Sequence, residues 1–559
     1  MSHDYYAQRR LAVIAKVASL RKSTPELPGS IRIDPTAPEV QTHTETEMAP
    51  SRPKVVIAMA SFPPRKAGLV KRMKELLPQC DVMALYLNGY DEIPPELPPS
   101  DKYEIVLAGP NSPNPDITSH GKFHFLDKYQ DCMYLCCDDD IVYPKDYTQK
   151  MVAAVEKYGR KAFISAHGIR YKLDANGQIP EGGLDKQYKQ FYMYDKACKE
   201  DTVIHIPGNG VSACFPSAIG MTTAIRKGPI GSGDDGDCGI HCQLNRIPVV
   251  RLASTVRWLT ADGSVHPIGA QYLNPDCAKL QNEKHRGYPG PWRLYPTVMQ
   301  KPGQAPDAMI TISMPTFNTA DKMLLKAVNS VLNQTETRLR LYVVNDSTDN
   351  KCWSCLKHIT DPRLIRVQMP VNSGTYACHS FVLSQTTTLW WSPFDSDDYA
   401  EPTRYATLLA NCGDKEVYLG GYADVTGTKC VPRPPLAGPR GSKITPAIRW
   451  QTSWAAGLWK TEWVRKAGGI NWTFKCGYDS ALQTLAIQFS DFGVDKDTGY
   501  SYVHHANSLT TAKTTGLMSD YRAKVAAVLN DSLTEACACA TIEEAGKIMS
   551  AIDMKTLDL

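Results

Sequence analysis

The chain has 559 residues, of which 43% are hydrophobic and 21% charged, with a formal net charge of +4. This is the composition of a globular protein of several domains, and the near-balanced charge excludes a strong field aimed at nucleic acid or an anionic membrane. No run of about 18 apolar residues is present, so no segment reads as a bilayer-spanning helix.

The N-terminal stretch MSHDYYAQRRLAVIAKVASLRKS lacks the apolar core and cleavage site of a secretory signal. It reads as a short exposed helix, with docking on a partner or a membrane surface as the alternative. Residues 24–53 are rich in Pro, Thr and Glu and read as flexible, so 1–52 is taken as a helix and linker. The 17 cysteines are scattered, and Cys136, Cys137 and Cys214 lie inside apolar runs. That pattern suits reduced, buried thiols in a cytoplasmic protein. CWSC (352–355) and CGIHC (238–242) each look like half of a zinc site, but neither has a second pair at a fitting spacing.

KVVIAMASFPPR opens a strand ending at Ser61, and Leu69, Met73, Leu76 and Leu77 then make one apolar stripe of a helix. VMALYLN, ending at Asn88, is a second strand, and CMYLCC is a buried strand that runs into Asp138, Asp139 and Asp140. IHIPGNGVSACF carries Gly208 and Gly210, which permit close backbone approach. GSGDDGDCGIHC brings Asp234, Asp235 and Asp237 to the start of a helix, and His266 follows in SVHPIGA. After a Pro- and Gly-rich stretch the pattern starts again. A strand ends at Thr316, and Leu324, Val328, Val331 and Leu332 sit at the same four offsets from Thr316 as the first stripe does from Ser61. RLYVVND contains Asn345, TLWWSPF runs into Asp395 and Asp397, Asp479 opens a helix, and SYVHHANSLT holds His504 and His505. The tail from 513 shows apolar residues at helical spacing and reads as two helices.

A helix between successive strands implies a parallel sheet, and such sheets bind ligands at the carboxyl ends of their strands. Adjacent carboxylates repel unless a cation sits among them. A single Asp-x-Asp reads as a helix cap or a solvated turn. Its recurrence at matching strand exits points to Mg²⁺ or Mn²⁺, with coordination positions left for substrate phosphates. Asp235 and Asp479 are each either a helix cap or a general base for a hydroxyl. The histidines are structural or complete the metal and phosphate site.

The motifs ISMPTFN, VVNDSTD, NSGTYACHS, FDSDDYAEP, AGGINWTFKCGYDSAL and YVHHANSLT resemble the family-2, GT-A fold glycosyltransferases over about 308–512. The resemblance implies inverting transfer of a sugar from a UDP or GDP donor with Mn²⁺ or Mg²⁺. It places Pro315, Thr316 and Asn318 along the nucleotide, Asp346 near the base, Asp395 and Asp397 on the metal, Asp479 as catalytic base, and His505 on metal and diphosphate. Cys378, His379, Ser380 and Tyr478 depart from the family pattern and put the donor in doubt. The first copy, about 53–285, looks like a more divergent GT-A glycosyltransferase on YLCCDDDIVYPKDY and SHGKFHFL. By the same likeness Asp138 and Asp140, with His266, become metal candidates, Asp235 the base, and Ser61 and Asn88 donor-side residues.

The expected architecture is α/β. Two tandem GT-A domains, 53–285 and 308–512, are joined by a linker at 286–307 and followed by C-terminal helices over 513–559. The expected function is a bifunctional, metal-dependent glycosyltransferase, one activity per domain, cytoplasmic or peripheral to a membrane. Its acceptor is a glycan, a lipid-linked glycan or another hydroxyl, a nucleic acid included. One alternative is a single active domain with the other as an acceptor-binding scaffold. Another is a two-metal nucleotidyltransferase, whose basic template groove a +4 chain does not advertise. The terminal helices would pack on the second domain or serve self-association as a homo-oligomer.

Overall fold

The computed structural model describes residues 52–109, 111–174, 176–180, 189–225, 233–264, 283–299, 307–433, 453–495, 499–505, 508, 515–516 and 519–554. The expected N-terminal helix and linker, apart from Arg52, and His266 lie outside the described residues.

In the first half, the β-branched run Val55–Ser61 forms strand β1, buried on both faces. Val55, Ile57 and Met59 enter one core cluster, while Val56 and Ala58 enter the cluster on the opposite face. That alternation is the two-residue period of a strand covered on both sides. Helix α1 (Lys66–Leu76) turns Leu69, Met73 and Leu76 inward, each fully buried, whereas Leu77 falls just past its end. The chain continues through β2 (Val82–Asn88), β3 (Tyr103–Ala108), β4 (Met133–Cys137), α2 (Tyr147–Lys157), β5 (Phe163–Ser165), β6 (Thr202–Ile204), β7 (Val211–Cys214), α3 (Asp234–Leu244) and β8 (Val249–Arg251). The eight strands lie in the order β3-β2-β1-β4-β7-β5-β8-β6. β1 to β4 are parallel, β7 is antiparallel to both β4 and β5, and β8 is parallel to β5.

The second half has β9 (Thr297–Met299), β10 (Ile310–Thr316), α4 (Asp321–Leu332), β11 (Leu339–Asn345), β12 (Leu364–Gln368), α5 (Thr375–Gln385) and β13 (Trp390–Pro393). It continues with β14 (Val417–Gly420), β15 (Ser453–Lys460), α6 (Tyr478–Phe489), β16 (Phe492–Asp495), β17 (Tyr500–Val503), α7 (Asp520–Cys537) and α8 (Ile542–Ala551). Its large sheet is ordered β9-β12-β11-β10-β13-β15-β14-β16. β10 to β13 are parallel, β15 is antiparallel to β13 and β14, and β16 is parallel to β14. Set aside the edge strands β6 and β9, and the two sheets share one strand order and one set of senses. Ser61 and Thr316, the origins of the repeat in the sequence, are the last residues of β1 and β10.

Within the stretch 286–307, expected as a linker, the described residues 286–299 carry structure of both halves. Trp292 is buried against Tyr171 and Ile206 of the first half, and β9 pairs antiparallel with β12 of the second. The tail forms the two helices α7 and α8, and Val525, Leu529, Leu533, Ala545 and Met549 join the second half's core. Residues 53–559 make one compact unit. Among the described residues, no helix is long and apolar enough to cross a membrane, and the cysteines are free thiols, most of them buried.

Candidate functional site

Both acidic clusters sit where parallel sheets bind ligands, just past the carboxyl ends of β4 and β13. Both downstream acids occupy the second position of a helix, Asp235 in α3 and Asp479 in α6.

In the second half, the apolar strand β13 delivers Asp395 and Asp397, and β17 returns beside them. Residues Tyr399–Ala400 pair antiparallel with β17. Asp398 locks this return, accepting hydrogen bonds from the Tyr500 hydroxyl (2.6 Å) and the Val503 N–H (2.7 Å). His505 then meets the Asp397 carboxylate at 2.7 Å, while its neighbour His504 turns to Asp424, also at 2.7 Å. Successive residues of an extended chain point to opposite sides, so only one of the pair can face the site. Burial pushes the Asp395 carboxyl up to about 7, and the nearby charges of Asp397 and Asp479 push the same way. Among the described residues no Lys or Arg forms an ion pair with Asp395, Asp397 or Asp479. The cluster is short of positive charge.

Asp479 accepts a hydrogen bond from the Tyr376 hydroxyl at 2.6 Å. Tyr376 lies in NSGTYACHS at the start of α5, a motif read in the sequence without giving this residue a role. Asp346 accepts the backbone N–H groups of Ser373 and Gly374, both at 2.8 Å, which pins the loop entering α5. Asn318 has a left-handed backbone (φ 53°) and accepts from the Ser347 hydroxyl at 3.0 Å. Pro315 and Thr316 end β10, and Thr316 Oγ1 is buried without a partner. His379, at a departure from the family pattern, hydrogen-bonds Ser313 inside the core and sits away from any reacting role.

The first half handles its carboxylates differently. Lys122, with 3% side-chain exposure, reaches Asp138 at 2.7 Å and Asp234 at 3.0 Å. Arg65 reaches Asp139 at 2.7 Å and Asp140 at 2.8 Å. Burial alone would lower the Lys122 ammonium, but Asp138 and Asp234 hold it well above its usual range. For Asp234, burial works upward and is outweighed by Lys122, so its net shift is downward. Burial pushes Asp139 up to about 6 against the pull of Arg65. Asp235 is raised to about 7 by burial and by the charge of Asp234, and it accepts the Asn209 N–H at 2.7 Å.

The expectation of a divalent ion between Asp138 and Asp140 therefore does not fit. The cation among these acids is supplied by the chain itself. Ser61 donates to Asp139, and Asn88 is bound to the backbone of Ile117 and Thr118, so both line the cavity with their polar atoms engaged. Lys122 lies in SHGKFHFL and Arg65 in SFPPR, and the only hint of either was a basic residue inside a motif already singled out.

The residues of the second half do fit a divalent ion: two carboxylates without a fixed cation, and a histidine beside them. Among the described residues no group of three or more His, Cys, Asp or Glu side chains is placed to hold a metal by itself. An ion there would take part of its shell from ligand oxygens, as Mg²⁺ does with substrate phosphates.

Residues 311–435 match the family model for Glycosyl transferase family 2, so the chain carries a glycosyltransferase domain in its second half. The match spans Pro315 through Asp397 and stops short of Asp479 and His505. The mixed α/β sheets and this domain are consistent with a GT-A fold. No curated protein matches the chain. Among solved structures it is similar to S. aureus TarS 1-349 in complex with UDP, with 20% identity over 35% of this chain and 61% of that one, at a TM-score of 0.29. It is also similar to S. aureus TarS, with 18% identity over 43% of this chain and 42% of that one, at a TM-score of 0.33. A third is S. aureus TarS 1-349 in complex with UDP-GlcNAc, with 18% identity over 36% of this chain and 59% of that one, at a TM-score of 0.29. The chain thus spans less than two thirds of the length of each of these three.

Proposed function

We propose that the second half transfers a sugar from a nucleoside-diphosphate donor, UDP- or GDP-linked, to an acceptor hydroxyl with inversion at the anomeric carbon. The observation that carries this reading is the gathering of Asp395, Asp397 and Asp479 at the carboxyl end of the sheet with no lysine or arginine paired to them among the described residues.

Asp395, Asp397 and His505 would hold Mn²⁺ or Mg²⁺, and the bound ion offsets charge on the departing diphosphate. Pro315, Thr316 and Asn318 line the nucleotide side, where the free Thr316 hydroxyl is available to the donor. Asp346 acts near the base through the loop it pins. Asp479 takes the proton from the attacking hydroxyl, and Tyr376 fixes the carboxylate rotamer so that one oxygen stays free for that task. The acceptor attacks from the face opposite the diphosphate, and inversion follows. The acceptor is a glycan, lipid-linked or free, or another hydroxyl compound.

The test uses the purified full-length chain with Mn²⁺ and a panel of UDP- and GDP-sugars, measuring release of nucleoside diphosphate in the presence of acceptor. Asp479→Asn is expected to slow turnover by about 10²–10⁴ while retaining donor binding. Turnover at the parent rate in that variant overturns the assignment.

A further inference from the structure

The first half contains a cavity of about 530 Å³ at the carboxyl end of its sheet. That volume lies within the range of small-molecule sites. We propose that this cavity is a metal-independent binding site for an uncharged saccharide.

Three independent observations support it. The first is the fixed cations. A divalent ion at Asp138 and Asp140 would share both carboxylates with cations the chain already supplies, the Lys122 ammonium at 2.7 Å and the Arg65 guanidinium at 2.8 Å, whose side chains are each 3% exposed. Their positive charge repels a second cation at the same carboxylates, and displacing either would leave a buried charge uncompensated, which is costly.

The second is the charge of the lining. Among the described residues of the lining, six aspartates face Arg65, Lys122 and Lys189, and burial lowers His167 and His285 to about 4, so both are neutral near pH 7. With no divalent ion to offset it, a diphosphate would add negative charge to a lining already rich in it. A neutral polyhydroxyl ligand meets no such repulsion, and carboxylates are strong acceptors for its hydroxyl groups.

The third is a set of polar atoms without partners. Asn209 is fully buried, lines the cavity, and has neither side-chain Nδ2 nor Oδ1 hydrogen-bonded within the protein. An unpaired buried amide of this kind is rare and unfavourable unless something else satisfies it. It offers two donors and an acceptor, a match for adjacent hydroxyls on a sugar ring. His167 Nδ1 and His285 Nε2 are likewise buried without a partner on the same lining. The backbone makes room for this set. A Cβ on Gly210 would lie 1.9 Å from Asp138 Oδ2, and one on Gly208 would lie 2.4 Å from the His167 ring.

The experiment uses the full-length chain carrying Asp397→Ala, so that the second half contributes no metal-dependent donor binding. Its binding to an array of neutral oligosaccharides is measured in excess EDTA, with UDP as a competing probe. At least one neutral glycan is expected to bind, indifferent to EDTA and to UDP, and adding Asn209→Ala should weaken it tenfold or more. Because Asn209 makes no side-chain hydrogen bond in the protein, the melting temperature of that variant should not fall. Asn209→Leu, of similar shape without polar atoms, serves the same purpose if the alanine variant does not fold. A chain that holds no neutral glycan, or holds it equally well without the Asn209 amide, overturns the proposal.

Counting bound Mn²⁺ by electron paramagnetic resonance gives a readout free of activity. The Asp397→Ala chain should hold no specific ion. An ion that it retains and that Asp138→Asn removes also overturns the proposal. Neither arm depends on turnover by Asp479, so failure of the second-half assignment would leave these results readable on their own.

Discussion

Asp138 and Asp395 leave equivalent strands of two sheets with the same strand order, yet they meet opposite electrostatic solutions. Around Asp138 the chain brings its own ammonium and guanidinium, at 2.7 and 3.0 Å for Lys122 and 2.7 and 2.8 Å for Arg65. Around Asp395 the neighbours are Asp397 and Asp479, and among the described residues the basic partner of the cluster is an imidazole, His505. A carboxylate cluster at a strand exit is therefore not one signal but two. Where fixed cations fill it, it is a self-contained part of the protein. Where they are missing, the protein has left a deficit for a ligand to fill. One fold can carry both, because the sheet sets where the acids stand and neighbouring loops decide what stands beside them.

The sharpest way to break this contrast is to remove one of the first half's two fixed cations. Lys122→Met leaves Asp138 and Asp234 without their counter-charge. Loss of one partner of a buried pair typically costs about 3–5 kcal/mol, and the low end is expected because Asp138 keeps 36% side-chain exposure. Chemical denaturation of the variant measures this. Added Mn²⁺ should recover part of the loss by turning the first site into a copy of the second, and the parent should show no such gain from that half.

Tyr376→Phe probes the second half. It removes a hydroxyl that donates to Asp479 and leaves the fold's apolar contacts in place. Hydrogen bonds to a charged group are worth about 1.5–3 kcal/mol, so turnover should fall by roughly 10- to 150-fold, with a loss of folding stability no larger than that bond accounts for. Equal turnover would remove Tyr376 from the account and leave Asp479 positioned by the helix alone.

Gly210→Ala tests how tightly the first cluster is built. The new methyl would overlap Asp138 Oδ2, so either Asp138 swings off Lys122 or the strand shifts. Overpacking of this kind costs about 1–3 kcal/mol, read as a shift of the denaturation midpoint. No change would mean that the Asp138 carboxylate is freer than its pairing with Lys122 suggests.

Much of this fold is written in the order of residues along the chain. The stripes after Ser61 and Thr316 became α1 and α4, and the apolar runs before the acids became β4 and β13. The parallel sense of β1 to β4 and of β10 to β13 was expected from the helices between strands, but the antiparallel strands were not legible. Hydrophobic period identifies a strand without saying which neighbour it pairs with, and the antiparallel β7 and β15 inserted beside β4 and β13 come from long-range packing. Nor were the first half's cations. Arg65 stands 74 residues before the Asp139 it neutralises, and nothing local distinguishes it from a surface arginine. The residues alone left the choice between His504 and His505 open, for a different reason, and the resemblance alone favoured His505. Two adjacent identical residues on an extended segment differ only in which side they face, and that is settled by the pairing of β17 and the grip of Asp398.

The smallest expected effect is a contrast in pH dependence between two aspartates of the first half. Asp235 is raised to about 7 in the fold, above its ordinary 3.8, by burial and by Asp234. A carboxyl with a raised folded value lends the fold stability that is complete below its unfolded value and is lost as pH climbs through the folded one. Asp235→Asn cannot ionise. Its melting temperature relative to the parent should therefore rise between about pH 4 and about pH 7 and level off above that. The sign is opposite to that of a carboxylate paired with a cation, such as Asp234, whose net shift is downward through Lys122. Asp234→Asn should lose most relative to the parent above about pH 4 and converge with it as acid protonates the parent's carboxyl. Two neighbouring aspartates on the first turn of one helix would then titrate stability in opposite directions, the signature expected when a single lysine reaches one of them and not the other.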